Sequence, residues 1–416
     1  MANIGSMTTI RGYKFRLYPS ASQDEALGTV CGVCRLLFNT ALEQRITFGR
    51  AHRISCHDQI RELRHLRAEF DWIRDVSQTA QTQTLMDLDR AFQNFFAGRA
   101  RFPRFRRKGQ HDSFRVMGRE VALRKLNRRW MEIRLPKIGW VRLRATRETP
   151  DTIRNVTISR DALGWSISIA CKMELHTPGA PEDARPIGID RGVTVPLMLS
   201  DGRSYHLPPS LAVVEKRHRR AQRAASRKVR GSNRHRRALE RARKLKARAA
   251  RIRRHWQHET TTDIARRYPG VVIEALKTRN MTRSARGTIE APGRGVAAKA
   301  GLNRSILNVG WFEIACQLEY KLTERHGWLK EREPHFSSQD CSTCGARDHR
   351  SRKSQAVFEC TTCGAVKNAD LNAALNILER GLNTASEHGV DAREKAGVGR
   401  AIAPRTMEPT GPATAI

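Results

Sequence analysis

The pattern Cys341-x2-Cys344-x15-Cys360-x2-Cys363 constrains the fold of this chain more than any other feature in it. Two such pairs have the spacing of a four-thiolate zinc site, in which each pair brackets a tight turn. Gly345 and Gly364 each follow the second cysteine of a pair, where a metal knuckle needs a positive φ. Four thiolates complete a tetrahedron and leave no open position, so the Zn2+ expected here is structural. A redox dithiol is the alternative, and the presence of two matched pairs argues against it. The remaining cysteines, Cys31, Cys34, Cys56, Cys171 and Cys316, are scattered, which suits a reducing compartment better than a disulfide framework. Cys31 and Cys34 lie on a helical pattern beside Leu36 and Leu37 and read as core thiols.

Acidic residues in three separated segments give the second signal. Asp190 closes the strand-like run Ile187-Gly188-Ile189-Asp190, and Gly192 lets the chain turn after it. Glu274 ends the buried run from Tyr268 to Ile273, and Asp370 opens a helix whose packing face is Ala373, Ala374, Ile377 and Leu378. A lone acid at a strand end is usually a surface residue. Three in this order, with a metal ribbon just before the third, point instead to a metal-dependent nuclease. Phosphodiester hydrolysis must activate a water and stabilise a leaving oxygen, and two Mg2+ ions about 4 Å apart do both. Hard cations of this kind are held by carboxylate oxygens converging from several elements.

Charge indicates the partner. With 77 Lys+Arg against 41 Asp+Glu, the net charge is +36, and self-repulsion of that size calls for a polyanion. No run approaches the roughly 18 apolar residues of a spanning helix, so nucleic acid is expected rather than a membrane. With no signal peptide visible, a cytoplasmic protein associated with nucleic acid is expected. Residues 1–6 read as a leader before Met7.

The pattern along the chain is that of a multidomain α/β protein. An alternating strand with Tyr13, Phe15 and Leu17 on one face falls within residues 1–19. Helical periodicity fills 20–100, and short strands punctuated by Pro and Gly fill 101–180. Those strands and the first one predict a small β-barrel with the helical bundle inserted into it. Arg101 to Lys108 alternates basic and aromatic residues, as expected where phosphates and bases are met together. Beyond the linker at Thr177 to Pro181, residues 186–335 alternate strand and helix, the ribbon spans 336–366 and a last segment spans 367–382. Within the first of these, 211–256 reads as a basic helical hairpin divided by Gly231. Its stretch from Lys216 to Arg254 has nineteen Lys/Arg against the single acid Glu240. Like charges at this density destabilise an isolated helix, so the hairpin is expected to lie along a nucleic-acid backbone. Residues 387–416, rich in Gly, Pro, Ala and Thr, read as a disordered tail.

These features resemble the TnpB family, the RNA-guided nucleases encoded by bacterial insertion sequences, and the related compact type V CRISPR effectors. The resemblance runs from Tyr13-Lys14-Phe15-Arg16-Leu17-Tyr18-Pro19 through Cys34-Arg35-Leu36-Leu37-Phe38-Asn39 and Gly188-Ile189-Asp190-Arg191-Gly192. It continues through Ile273-Glu274-Ala275-Leu276-Lys277, Lys299 to Ile306, and the ribbon with Ser338-Gln339-Asp340-Cys341. It implies that 186–335 and 367–382 form an RNase H-like (RuvC) nuclease domain with the zinc ribbon inserted. The barrel would then be a wedge domain and 20–100 a recognition domain. Asp190, Glu274 and Asp370 match the family's catalytic, Mg2+-binding acids, and the four cysteines match its ribbon. One departure is visible, since Asn368 stands where the family often has an aspartate.

The resemblance further implies a guide RNA, with a structured scaffold plus guide, and a double-stranded DNA target beside a short adjacent motif. Polar residues from Ser77 to Thr84 are candidate readers of that motif. A single site would cut both strands in turn, and the oligomeric state, monomer or dimer per RNA, stays open. The alternatives are a compact CRISPR effector, an RNA-guided DNA-binding protein that does not cut, and a transposase acting without RNA.

Overall fold

The computed structural model describes residues 7–49, 54–148, 152–175, 179–333 and 336–383. The expected leader at 1–6 and tail at 387–416 lie outside them. Contacts divide the chain into two compact units.

The first unit begins with β1 (Met7–Tyr18), whose Tyr13, Phe15 and Leu17 are buried while Lys14 and Arg16 face outward. Helix α1 (Ala21–Phe48) starts at a capping box in which Ser20 and Gln23 satisfy each other's backbone N–H groups. The Gln23 side chain also donates to the Trp140 carbonyl at 2.8 Å, fixing the helix to the strands. Leu27, Cys31, Cys34, Phe38 and Leu42 form its buried stripe. Burial pushes the Cys31 thiol up to about 12, so the thiol stays protonated and packs as a small apolar group. The bundle is completed by α2 (Cys56–Glu69), the single turn α3 (Asp71–Arg74) and α4 (Gln78–Phe96).

Six further strands follow, β2 (Ser113–Met117), β3 (Ala122–Lys125), β4 (Trp130–Leu135), β5 (Gly139–Arg144), β6 (Ile153–Asp161) and β7 (Gly164–Leu175). With β1 they make one seven-stranded sheet, in the order β2-β6-β7-β1-β5-β4-β3, whose neighbouring strands all pair antiparallel. β1 pairs with β7 up to Arg16 and with β5 from Leu17, so it joins the two halves of the sheet. β1 thus shares one sheet with the later strands, with α1 to α4 between them in sequence.

The same unit holds α5 (Pro209–Ser226) and α6 (Asn233–Arg267), which form the basic hairpin. Gly231 takes φ 87° at its turn, and Ser232 caps α6. Leu211, Val214 and Ala249 make the buried seam between them. Past the single turn α7 (Thr278–Met281), α8 (Val296–Val309) and α9 (Trp311–Thr323) follow. α9 packs on the C-terminal half of α6, where Gln257, Thr260, Thr261 and Ile264 are buried. Among the described residues no helix is long and apolar enough to cross a membrane.

The second unit is a five-stranded sheet with a helix across it. Its strands β8 (Ile187–Asp190), β9 (Leu197–Leu199), β10 (Ser204–Tyr205), β11 (Gly270–Glu274) and β12 (Trp328–Arg332) lie in the order β10-β9-β8-β11-β12. β8 and β11 are parallel, with Ile189 opposite Ile273, and β9 returns antiparallel to β8. The strands β13 (Val357–Glu359) and β14 (Val366–Asn368) form the ribbon hairpin, and β14 leads directly into α10 (Ala369–Asn383). α10 lies against β8, β9 and β11. The contact is close enough that a Cβ at Gly188 would fall 2.2 Å from the Ala374 carbonyl oxygen. At Gly381 it would fall 2.4 Å from a Val272 methyl, so two glycines set how near the helix approaches the strands.

Candidate functional site

Strand register places the first two acids. Asp190 and Glu274 follow Ile189 and Ile273, which are partners on parallel strands, so both carboxylates leave the same sheet edge on neighbouring strands. Apolar runs buried on both faces, Ile187 to Ile189 and Val271 to Ile273, end at these acids. Asp370 sits in the first turn of α10, on the helix that crosses those strands. Asn368 accepts hydrogen bonds from the backbone N–H groups of Asp370 (3.0 Å) and Leu371 (3.1 Å). The residue that departs from the family pattern thus caps the helix carrying the third acid, a task asparagine performs as well as aspartate.

Electrostatics shows that the acids share a neighbourhood. Asp190 keeps part of its surface open, yet its carboxyl is pushed up to about 7. Burial is the largest cause, followed by the negative charges of Glu274 and Asp370, while Arg352 and the Arg191 backbone N–H oppose the shift. Asp370 is also raised, by burial, against the pull of Arg352. Like charges gathered in this way call for a cation.

Several side chains that the sequence reading missed complete the site. The Ser337 hydroxyl donates to Glu274 Oε1 at 2.5 Å, and the Arg191 guanidinium donates to the Glu274 backbone carbonyl. Arg352, from the ribbon, lies 3.6 Å from Asp370 Oδ1. Ser337 and Arg352 have no periodicity or spacing to single them out, and Arg191 was visible only as a member of the Gly188 to Gly192 motif, with no role attached. Asn372 and Asn376, both buried, were legible only as helix residues. Asn372 accepts from the Ser342 N–H and donates to the Asp340 carbonyl, and Asn376 donates to the carbonyls of Ser337 and Asp340. The start of the ribbon is thereby fastened to the helix that carries Asp370.

The four cysteines come together as the spacing requires. Among the described residues they are the group whose ligand atoms all lie within 4.8 Å of one another. Sγ–Sγ separations of 3.8 Å (Cys341–Cys363) and 3.6 Å (Cys344–Cys360) match a tetrahedron of about 2.3 Å zinc–sulfur bonds, whose edge is about 3.8 Å. Gly345 and Gly364 take φ of 73° and 70° at the two knuckles. Backbone N–H groups of Cys363 and Thr362 point at the Cys360 sulfur and draw its thiol down to about 6, toward the thiolate a metal needs. This donor set fits a structural Zn2+.

Three family models match parts of the chain. A family model described as "Probable transposase" (OrfB_IS605) matches residues 168–285. A "Cas12f1-like, TNB domain" model matches 311–377, which includes the ribbon. A "Helix-turn-helix domain" model matches 7–48, although the structure there is one strand, β1, and one long helix, α1. The chain is 38% identical over 90% of its length to "Putative RNA-guided DNA endonuclease InsQ" of Escherichia coli K12, covering 93% of that protein. A "Putative RNA-guided DNA endonuclease" of Streptomyces pristinaespiralis is 32% identical, with 89% of each chain covered. In fold, the chain is similar to the protein in a Cas12f1–sgRNA–target DNA complex, at a TM-score of 0.51 and 13% identity, over 89% of this chain and 98% of that one.

Proposed function

This chain belongs to the TnpB family of RNA-guided DNA endonucleases, and from that membership we propose that Asp190, Glu274 and Asp370 cut DNA selected by a bound RNA. The observation that carries the assignment is the register of Ile189 and Ile273 on parallel strands, which brings Asp190 and Glu274 side by side, with Asp370 opening the helix that lies against both strands. The unit that bears them is read as an RNase H-like (RuvC) nuclease domain, and the seven-stranded sheet with its helices as wedge and recognition domains. A guide RNA and double-stranded target DNA are the partners, and the basic α5–α6 hairpin supplies phosphate contacts.

The donor set suits Mg2+, since all three ligands are carboxylates, the hard oxygen donors that ion prefers. Their oxygens are not among the clusters tight enough for a single-ion cage in the described residues, and a pair of ions takes a wider set. When bound, such ions polarise a phosphate oxygen and lower the pKa of a coordinated water. The chain's own residues do the rest. Ser337 holds one oxygen of Glu274 and so fixes the carboxylate. Arg352 offsets part of the acidic charge and, at the rim of the cluster, can take a phosphate oxygen. Asn368 holds the helix start that presents Asp370.

A binder that has lost cleavage is disfavoured because all three carboxylates are retained and electrostatically coupled. Between the two guided contexts, the match to the "Probable transposase" family model, beside a CRISPR-associated relative that covers only 18% of the chain, favours the transposon type.

Sequencing the RNA that co-purifies with the protein expressed from its native locus tests this reading. One discrete species with a constant fold and a variable end matching DNA beside its own gene is expected. A smear of host RNA would remove the guided reading, and variable ends matching repeat-flanked spacers would make the protein a CRISPR effector.

A further inference from the structure

The end of α4 carries an aromatic surface that the nuclease site does not use. Phe92, Phe95, Phe96 and Phe102 form one cluster, with Phe102 edge-on to Phe92 (5.5 Å) and Phe95 (5.2 Å). Phe96 adjoins Phe95 at 5.3 Å and lies near-parallel to Phe92 at 6.1 Å. Such edge-on and offset pairs hold one another in place, yet the cluster is not buried. Phe96 is 77% exposed and Phe102 43%.

The segment that presents these rings is fixed at both ends. Gly98, at φ 67°, closes the helix, and the N–H groups of Gly98, Arg99 and Ala100 bond back to the carbonyls of Phe95 and Asn94. Farther on, the Asn39 side chain clamps the Arg106 backbone through both its N–H (2.7 Å) and its carbonyl (3.0 Å). The Arg106 guanidinium lies 3.8 Å from the Phe38 ring centroid, turned into the core. The other cations of the segment, among them Arg99, Arg101, Arg104 and Arg107, are exposed, and no carboxylate occurs from Arg90 to His111.

We propose that Phe96 and Phe102 form a stacking platform for unpaired bases of the RNA, with the surrounding arginines on its phosphates. The chemistry selects the ligand. An exposed apolar ring in a segment whose only charges are cations matches a base joined to a phosphate backbone, and base–aromatic stacking with a basic surround is how unpaired strands are held. A base inside a duplex hides its faces in the stack, so the bases are unpaired, in a loop or at a strand end. RNA rather than target DNA is chosen because a water-facing phenylalanine cluster is a liability unless it stays covered. In the guided-nuclease reading, on which this inference rests, the RNA is the partner held throughout the cycle. The pre-formed loop lowers the ordering cost of binding.

The test measures the affinity of RNA-stripped protein for its own co-purified RNA across a series of salt concentrations. Phe96→Ala is expected to weaken binding about tenfold at every salt, since stacking contributes about 1–3 kcal/mol per base. The slope of log affinity against log salt should stay that of the parent. Arg104→Ala should instead lower that slope by about one unit. Phe96→Leu, which keeps the apolar bulk and guards against misfolding, should lose affinity like alanine, and Phe96→Trp should restore it. Parent-like affinity in Phe96→Leu would overturn the proposal. So would unchanged RNA affinity with weaker uptake of target DNA by the loaded complex, which would place DNA on the platform. If the parent protein itself selects no RNA species, the guided reading fails, an outcome separate from either of these.

Discussion

Asp190→Ala is expected to lower DNA cleavage by at least about a thousandfold while leaving RNA and target binding within about twofold of the parent. The size follows from removing a metal-binding carboxylate, several kcal/mol of transition-state stabilisation at about 1.36 kcal/mol per tenfold. Binding should survive because Asp190 stands at a strand end with part of its surface open, and the phosphate contacts assigned to the basic surfaces are untouched. The same carboxylate should leave a pH signature. In the folded, metal-free protein its pKa is about 7, above the ordinary 3.8. The folded state therefore holds this proton more tightly than the unfolded chain, and the group costs stability as pH rises from about 4 through 7. A divalent ion needs the ionised form, so the rise in melting temperature given by Mg2+ should be larger at pH 8 than at pH 6. Asp190→Asn should raise the metal-free melting temperature at pH 8 and shrink the Mg2+ response. Full cleavage by Asp190→Ala would remove the site assignment, whatever the thermal data showed.

Cys360→Ser should act by a different route, abolishing cleavage through loss of the ribbon. A structural zinc in a small module contributes on the order of 10 kcal/mol to its folding, far more than the ribbon's own core of Phe358, Ala369 and the cysteines can replace. The ribbon also supplies Arg352 and joins the polar net of Asp340, Asn372 and Asn376 that fastens the start of α10. Its collapse should therefore misplace Asp370 although Asp190 and Glu274 remain on their strands. Zinc content should fall from one ion per chain to none, and cleavage should fall with it. Parent-like cleavage by a zinc-free protein would show that the ribbon does not position the site.

How far the sequence carried the reading depended on what each residue answers to. Asp190 and Glu274 were legible because each ends a strand whose residues are all apolar, the mark of a strand buried on both faces. Asp370 was legible from the helical spacing of Ala373, Ala374 and Ile377, and the cysteines from their spacing alone. The hairpin was found by its charge, and for that reason its end was set too early. α6 runs on to Arg267 because Gln257, Thr261 and Ile264, with no basic signal, pack in the core beneath α9. Ser337, Arg352, Asn372 and Asn376 were missed because their partners lie on other segments, and only the folded chain brings them together. The short β3, with Arg124 and Lys125 both exposed, likewise gave little alternation, and the strand is held by pairing with β4.

The central claim is that this chain cuts DNA where its RNA directs, with Asp190, Glu274 and Asp370 as the cutting site. The most direct measurement incubates the purified protein–RNA complex and Mg2+ with two plasmids, one carrying a sequence that matches the variable end of the RNA beside its native flank and one scrambled. The account predicts linearisation of the matching plasmid alone, with none by the Asp190→Ala complex. Equal cutting of both plasmids, or cutting of the matching one by Asp190→Ala, would contradict it.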